Sequence, residues 1–177
     1  MNETLQQMKD MTRAMRSYVY TIWEMVYESN AQNIGEIGTR NFQSTRTILS
    51  ALAEKGSGLL TSVDISPHAS RLTPEMEPYW RFILGDSTKE ETRDKVADRE
   101  YDIFLIDGSH EYDDVKRDFE LYFSLVKRGG FMLFHDIANC TCGVPKFYDK
   151  LDVPNKISFN WGKAAGGVIP GLGIIQK

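Results

Sequence analysis

Cysteine is scarce in this chain of 177 residues: Cys140 and Cys142 are the only two, with one residue between them. That spacing suits neither a disulfide framework nor a zinc knuckle, and no further thiol exists to complete a metal site. Free thiols in a reducing, cytoplasmic compartment are therefore expected. Long hydrophobic runs are missing as well. The longest fall well short of the ~18 to 20 apolar residues of a membrane span, and the amino terminus is polar with no signal core, so a soluble protein is expected. Basic charge is not in excess. The 21 Lys and Arg against 25 Asp and Glu leave a net charge of -4, which argues against nucleic acid or an anionic membrane as the main partner. Internal repeats and low-complexity tracts are also absent, and at 41% hydrophobic the length fits one globular domain able to bury a core.

Proline and glycine are missing from Glu3 to Ser29, where Met8, Met11, Met15, Tyr18, Val19, Ile22 and Val26 fall on one helical face. Residues 1–30 thus read as an N-terminal helix outside the repeating unit. Its apolar stripe would pack on the sheet or its neighbours, and the Met and aromatic content would also suit a substrate lid or a subunit contact in a homo-oligomer. Residues 31–177 alternate short strands and helices. The strands are Asn33 to Ile37, Leu59 to Val63, Trp80 to Leu84 and Tyr101 to Ile106. Between them come helices to Glu54, near Pro67 to Glu77, and around Lys89 to Ala97. Such alternation predicts an α/β fold with a doubly wound, mostly parallel, Rossmann-like sheet.

The most informative stretch, Tyr101 to Asp136, is one βαβ unit whose apolar strands each stop on an acid. The strands, Tyr101 to Ile106 and Phe131 to Phe134, are apolar but for Asp102, as strands covered on both faces should be. Between them Val115, Phe119, Tyr122 and Val126 predict the buried stripe of a helix, Asp113, Asp114, Lys116, Arg117 and Asp118 its wet face, and Arg128-Gly129-Gly130 its end. Beyond Asp136, Val144 to Leu151 predicts a helix. Lys156 to Asn160 and Gly167 to Ile175 predict a short-linked antiparallel strand pair.

In an open parallel sheet the carboxyl ends of the strands face the ligand crevice. Glu36, Asp64, Asp86, Asp107 and Asp136 end the first five strands, so the cleft is expected to be lined with acids. Gly38 lets backbone approach a ligand, and the helix beginning near Ser44-Thr45 offers free amides to a carboxylate or phosphate. Asp64, ending the second strand, occupies the usual place of a carboxylate that accepts the hydroxyls of an adenosine ribose.

The segments EIGTR-x-x-x-ST, VDIS, GDS, IDGSHEYDDVKRDFE and RGGFMLFHD resemble class I S-adenosylmethionine-dependent methyltransferases, nearest the small-molecule O-methyltransferase branch with its DGxHxY and GGxxxxHD motifs. The resemblance runs from about Asn33 to the carboxyl end. It implies a seven-stranded sheet with an antiparallel last strand, and a cofactor pocket in which Glu36, Gly38, Thr39 and Ser44 lie toward the methionine part, Asp64 at the ribose, and Asp86 with Ser87 beside the adenine. Asp107 and Asp136 match the acids that hold Mg²⁺ in metal-dependent members, Asp107 also bordering the cofactor. His110, three residues after Asp107, stands near the place of the catalytic base in the catechol enzymes. His135 is a weaker candidate ligand. The implied reaction is methyl transfer to a hydroxyl of a small-molecule acceptor, such as a sugar or polyol.

Two departures from the pattern stand out. Phe42 replaces a glycine in the loop that passes the cofactor, where a bulky side chain is not expected to take a positive φ; Asn41 could take over a left-handed conformation. Ile137 replaces an amide ligand, leaving Asn139, His135 or water as the third donor. A competing reading follows from the first departure: a non-catalytic methyltransferase-fold module for binding or assembly, with Phe42 filling the cofactor space. A nicotinamide-dependent oxidoreductase is disfavoured because the first loop lacks G-x-G-x-x-G.

Overall fold

Strands and helices alternate along most of the chain. The computed structural model describes residues 13–67, 72–138, 141–160, 163–164, 167–168 and 170–177. In chain order they form α1 (Arg13–Glu28), β1 (Asn33–Ile37), α2 (Gln43–Lys55), β2 (Leu59–Asp64), β3 (Trp80–Leu84), α3 (Glu90–Val96), β4 (Tyr101–Ile106), α4 (Tyr112–Tyr122), β5 (Val126–His135), α5 (Gly143–Lys150), β6 (Lys156–Phe159), β7 (Lys163–Ala164), β8 (Gly167–Val168) and β9 (Leu172–Gln176). Met8 and Met11 of the expected N-terminal stripe lie outside the described residues, and Met15 falls where side chains are not described.

One sheet of seven strands runs in the order β3-β2-β1-β4-β5-β9-β6. β1 to β5 pair in parallel, while β9 is antiparallel to both β5 and β6. The order reverses between β1 and β4, and there the crevice opens. Side chains of β4 alternate between two cores. Phe104 and Ile106 join Phe134, Val115, Tyr122 and Phe147 on one face. Ile103 and Leu105 join Leu133, Ile34, Ile48, Leu49 and the α1 residues Tyr18, Val19, Ile22 and Val26 on the other. Burial of both faces accounts for the apolar run Ile103 to Ile106 of β4.

Several local expectations fail for identifiable reasons. In place of a helix near Pro67 to Glu77, the described residues form turns and a 3-10 turn, Glu77–Tyr79, whose Pro78 suits a helix start. α4 stops at Tyr122 and a 3-10 turn, Phe123–Leu125, follows. Val126 therefore opens β5, and Arg128-Gly129-Gly130 lies at an irregularity inside that strand, with Gly129 at φ 80°. Asp118, expected on the wet face, is fully buried. The expected strand from Gly167 to Ile175 is divided into β8, paired with β7, and β9 in the main sheet.

The thiol expectation fails too. Cys142 is disulfide-bonded; the only other cysteine of the sequence, Cys140, lies outside the described residues. A bend at Thr141 and Cys142 supplies a backbone reversal that an extended chain lacks. Among the described residues no helix is long and apolar enough to cross a membrane.

Candidate active site

A cavity of about 710 Å³ opens along the carboxyl ends of β1 to β5. Hydrogen bonds beyond the strands align the loops around it: Gly38 N donates to Val63 O, Gly85 N to Asp64 O and Asp107 N to Ile37 O, each at 2.9 Å. Gly38 has φ 89°, and a Cβ there would stand 2.1 Å from the Asp107 carbonyl oxygen. Only glycine permits this approach of the two central loops.

Of the residues expected at the site, Gly38, Thr39, Ser44, Asp64, Asp86, Ser87, Asp107, His110 and Asp136 lie on the cavity wall. Glu36 does not. It is fully buried inside β1 and accepts hydrogen bonds from Ser44 Oγ at 2.7 Å, Thr45 Oγ1 at 2.9 Å and Ser62 Oγ at 2.7 Å. Burial pushes its pKa up to about 7 although the three hydroxyls pull it down. Glu36 thus ties the first turn of α2 to β1 and β2 from beneath, and shapes the wall without forming it.

At one side of the cavity, Asp64 Oδ2 accepts from Thr39 N at 2.8 Å, Thr39 Oγ1 at 2.9 Å and Arg40 N at 3.3 Å, while Oδ1 accepts from Ser66 N at 3.0 Å. Burial raises its pKa, but these donors outweigh burial and leave it below the ordinary carboxylate value. An ionised acceptor is therefore fixed in place. Asp86 Oδ1 accepts from Thr88 Oγ1 at 2.7 Å and Thr88 N at 2.9 Å, and the Thr88 hydroxyl is the main cause of its lowered pKa. α4 holds this turn from behind, with Tyr122 donating to Ser87 O at 3.0 Å and Arg117 Nε to Thr88 O at 3.4 Å.

At the other side two carboxylates and two imidazoles converge. His135 Nδ1 lies 2.9 Å from Asp107 Oδ1 and 3.5 Å from Asp136 Oδ2. His110 Nε2 lies 3.3 Å from Asp136 Oδ2 and 3.9 Å from Asp107 Oδ1. Asp136 has φ 59°, a left-handed conformation that aspartate tolerates. Burial raises the Asp107 pKa, and His135 and His110 more than reverse this. Both imidazoles are raised above their ordinary value. For His110 the leading cause is Asp107, with burial opposing; for His135 burial opposes and Asp107 prevails. Ligand atoms of Asp107, His110 and Asp136 all lie within 4.8 Å of one another, a grouping that fits a divalent cation. Ile137 is buried, and Asn139 lies outside the described residues.

Phe42 departs from expectation in an unforeseen way. It adopts φ 58° and ψ 24° as the N-cap of α2, so the phenylalanine itself, rather than Asn41, takes the left-handed position of the missing glycine. Its ring is 2% exposed and meets Trp80 edge to face in the core, and it is not part of the cavity wall. Sequence reading also missed Tyr18 as a wall residue. Its place in an apolar stripe identified a buried residue, but nothing in the sequence pattern pointed to its hydroxyl reaching Asp107.

A family profile described as a methyltransferase domain matches residues 36–137. Among curated proteins, an uncharacterised protein of Acanthamoeba polyphaga mimivirus is 49% identical over 35 residues, 20% of this chain and 16% of that protein. The match therefore spans about one-sixth of that relative's length. Among solved structures, the O-methyltransferase TomG from Streptomyces achromogenes, in complex with SAM, is 15% identical over 100% of this chain and 91% of its own, with TM-score 0.70. The methyltransferase MycE from the mycinamycin biosynthetic pathway, in complex with Mg, SAH and mycinamycin VI, is 22% identical over 68% of this chain and 33% of its own, with TM-score 0.54. At these identities the structural likeness is one of fold, the Rossmann-like methyltransferase fold. The profile, in contrast, runs from within the first strand to the turn after the fifth, over more than half of the sequence, and on that ground the chain belongs to this methyltransferase-domain family.

Proposed function

We propose that the chain is an S-adenosylmethionine-dependent O-methyltransferase acting on a hydroxyl of a small polar molecule, a sugar or other polyol. The observation that carries the reading is the division of one cavity into two chemistries: an ionised Asp64 and the Asp86-Ser87 turn at one side, and the Asp107, His110, His135 and Asp136 cluster at the other. The first suits an adenosine, with Asp64 toward the ribose hydroxyls and Asp86 beside the base. Gly38, Thr39 and Ser44 lie between the two sides, toward the methionine part.

In the reaction the acceptor oxygen attacks the sulfonium methyl carbon. The carbon–sulfur bond breaks with its electron pair passing to sulfur, which leaves S-adenosylhomocysteine, and the hydroxyl proton passes to the unprotonated ring nitrogen of a neutral His110. Asp107 and Asp136 would hold Mg²⁺, which supplies Lewis acidity that orients the hydroxyl and lowers its pKa. Two carboxylates and several waters suit this ion better than an imidazole does, so His110 remains available for the proton. The polarity of this end favours a polyol acceptor, and the structurally similar MycE binds Mg together with SAH and mycinamycin VI. Phe42 argues against a non-catalytic module, since its ring is packed on Trp80 and leaves the cavity open.

Calorimetric titration with S-adenosylmethionine and S-adenosylhomocysteine, with and without Mg²⁺, tests the reading. Wild type is expected to bind at micromolar concentration and Asp64→Ala to lose at least about tenfold, as for a charged hydrogen-bond acceptor. Absence of wild-type binding under both conditions would sink the proposal.

A further inference from the structure

We propose that Tyr18 of the N-terminal helix is a positioning residue of the acceptor side, holding the Asp107–His135 pair in one geometry; this rests on the methyltransferase reading. Tyr18 is 3% exposed and lines the cavity. Its hydroxyl donates to Asp107 Oδ2 at 3.3 Å, and its ring lies on the His135 imidazole with centroids 4.0 Å apart and planes at 31°. One side chain, 89 residues before Asp107 in sequence, thus touches both members of the pair.

The second contact on Asp107 is what gives the arrangement its effect. The terminal torsion of an aspartate is broad and roughly two-fold, so a single donor leaves the carboxylate free to turn and offer either oxygen. Here Oδ1 faces His135 Nδ1 from β5 and Oδ2 accepts from Tyr18 on α1, so donors on two separate elements fix the carboxylate plane. Covering of the imidazole face by the phenol ring restrains the other partner. Burial, with Asp107 adding to it, pushes the phenol pKa well up, so the hydroxyl remains a neutral donor.

α1 does not depend on this contact for its place. Val19, Ile22 and Val26 are buried in the core with Ile34, Ile48 and Leu49. Lys55 Nζ donates to the carbonyls of Val26, Ser29 and Ala31 at 3.0, 3.0 and 2.8 Å. Tyr18→Phe therefore removes the hydroxyl while leaving the helix docked and the ring in contact with His135. Tyr18 brings α1 to the cavity, which the exposed Arg40 and half-exposed His110 also line.

Long-range proton–nitrogen NMR of the full chain labelled at histidine, saturated with S-adenosylhomocysteine, reads the pair directly. In Tyr18→Phe the His135 nitrogen shifts are expected to move, with the chain still folded and its S-adenosylhomocysteine affinity unchanged. With any acceptor that wild type methylates, kcat is expected to fall about tenfold or more and KM for S-adenosylmethionine to stay the same, the loss of one hydrogen bond to a charged group. Unchanged His135 shifts in Tyr18→Phe would overturn the proposal and reduce Tyr18 to core packing. If wild type binds no S-adenosylhomocysteine, the methyltransferase reading fails on its own account; the same His135 comparison on the cofactor-free chain still decides whether Tyr18 holds the pair.

Discussion

The rings of Phe42 and Trp80 meet edge to face with centroids 5.8 Å apart, and this contact turns Phe42 into the core from a loop that borders the cavity. A left-handed backbone at a phenylalanine costs on the order of 1 kcal/mol. Its burial against Trp80 outweighs that cost.

Phe42→Gly is therefore expected to destabilise the fold. Loss of a buried phenyl group removes about 3–5 kcal/mol and relief of the backbone returns about 1, for a net loss of roughly 2–4 kcal/mol. Chemical denaturation gives the first quantity. Calorimetry with S-adenosylhomocysteine should show unaltered affinity, because the ring is not on the cavity wall; a marked gain in affinity would mean that the phenyl had obstructed the site.

Asp118 makes stability depend on pH. Burial pushes its carboxyl from 3.8 up to about 7, with the Ser87 side chain opposing. The folded-state value lies above the unfolded one, so the folded chain binds this proton more tightly. The resulting stability is full below the unfolded pKa and is lost as pH rises through about 7. Asp118→Asn should flatten that slope, exceeding wild type near pH 8 by on the order of 3 kcal/mol while giving no such gain near pH 4. Urea denaturation at the two pH values checks it. Some slope should survive from Glu36, whose pKa is also raised to about 7.

His110 must be neutral to accept a proton, and Asp107 leads in holding its pKa above 6.5. Methyl transfer by wild type should accordingly rise with pH along a limb placed above that value. Mg²⁺ should move the limb to lower pH by neutralising the carboxylates, and EDTA should return it. His110→Ala should lose about 10²- to 10⁴-fold in kcat with S-adenosylhomocysteine affinity retained. Rate profiles with and without Mg²⁺, for both proteins, provide the check; an unchanged rate in the variant would remove His110 from the mechanism.

What the amino-acid order determined by itself was the periodic part of the protein. Apolar runs of strand length, separated by amphipathic segments, gave β1 to β5 and their parallel pairing, because burial of both sheet faces leaves few polar positions in such strands. The acids at strand ends were legible for the same reason: Asp64, Asp86, Asp107 and Asp136 lie wherever the strands end, and in a parallel sheet those ends share one crevice. Tertiary structure alone decided the rest. It sent Phe42 away from the cleft, placed Glu36 beneath the wall, buried Asp118 on a helix face that reads as solvated, and brought Tyr18 to Asp107 across 89 residues. Each of these depends on which atoms meet after the elements pack, and a period of two or 3.6 residues carries only the face of an element, not its neighbour.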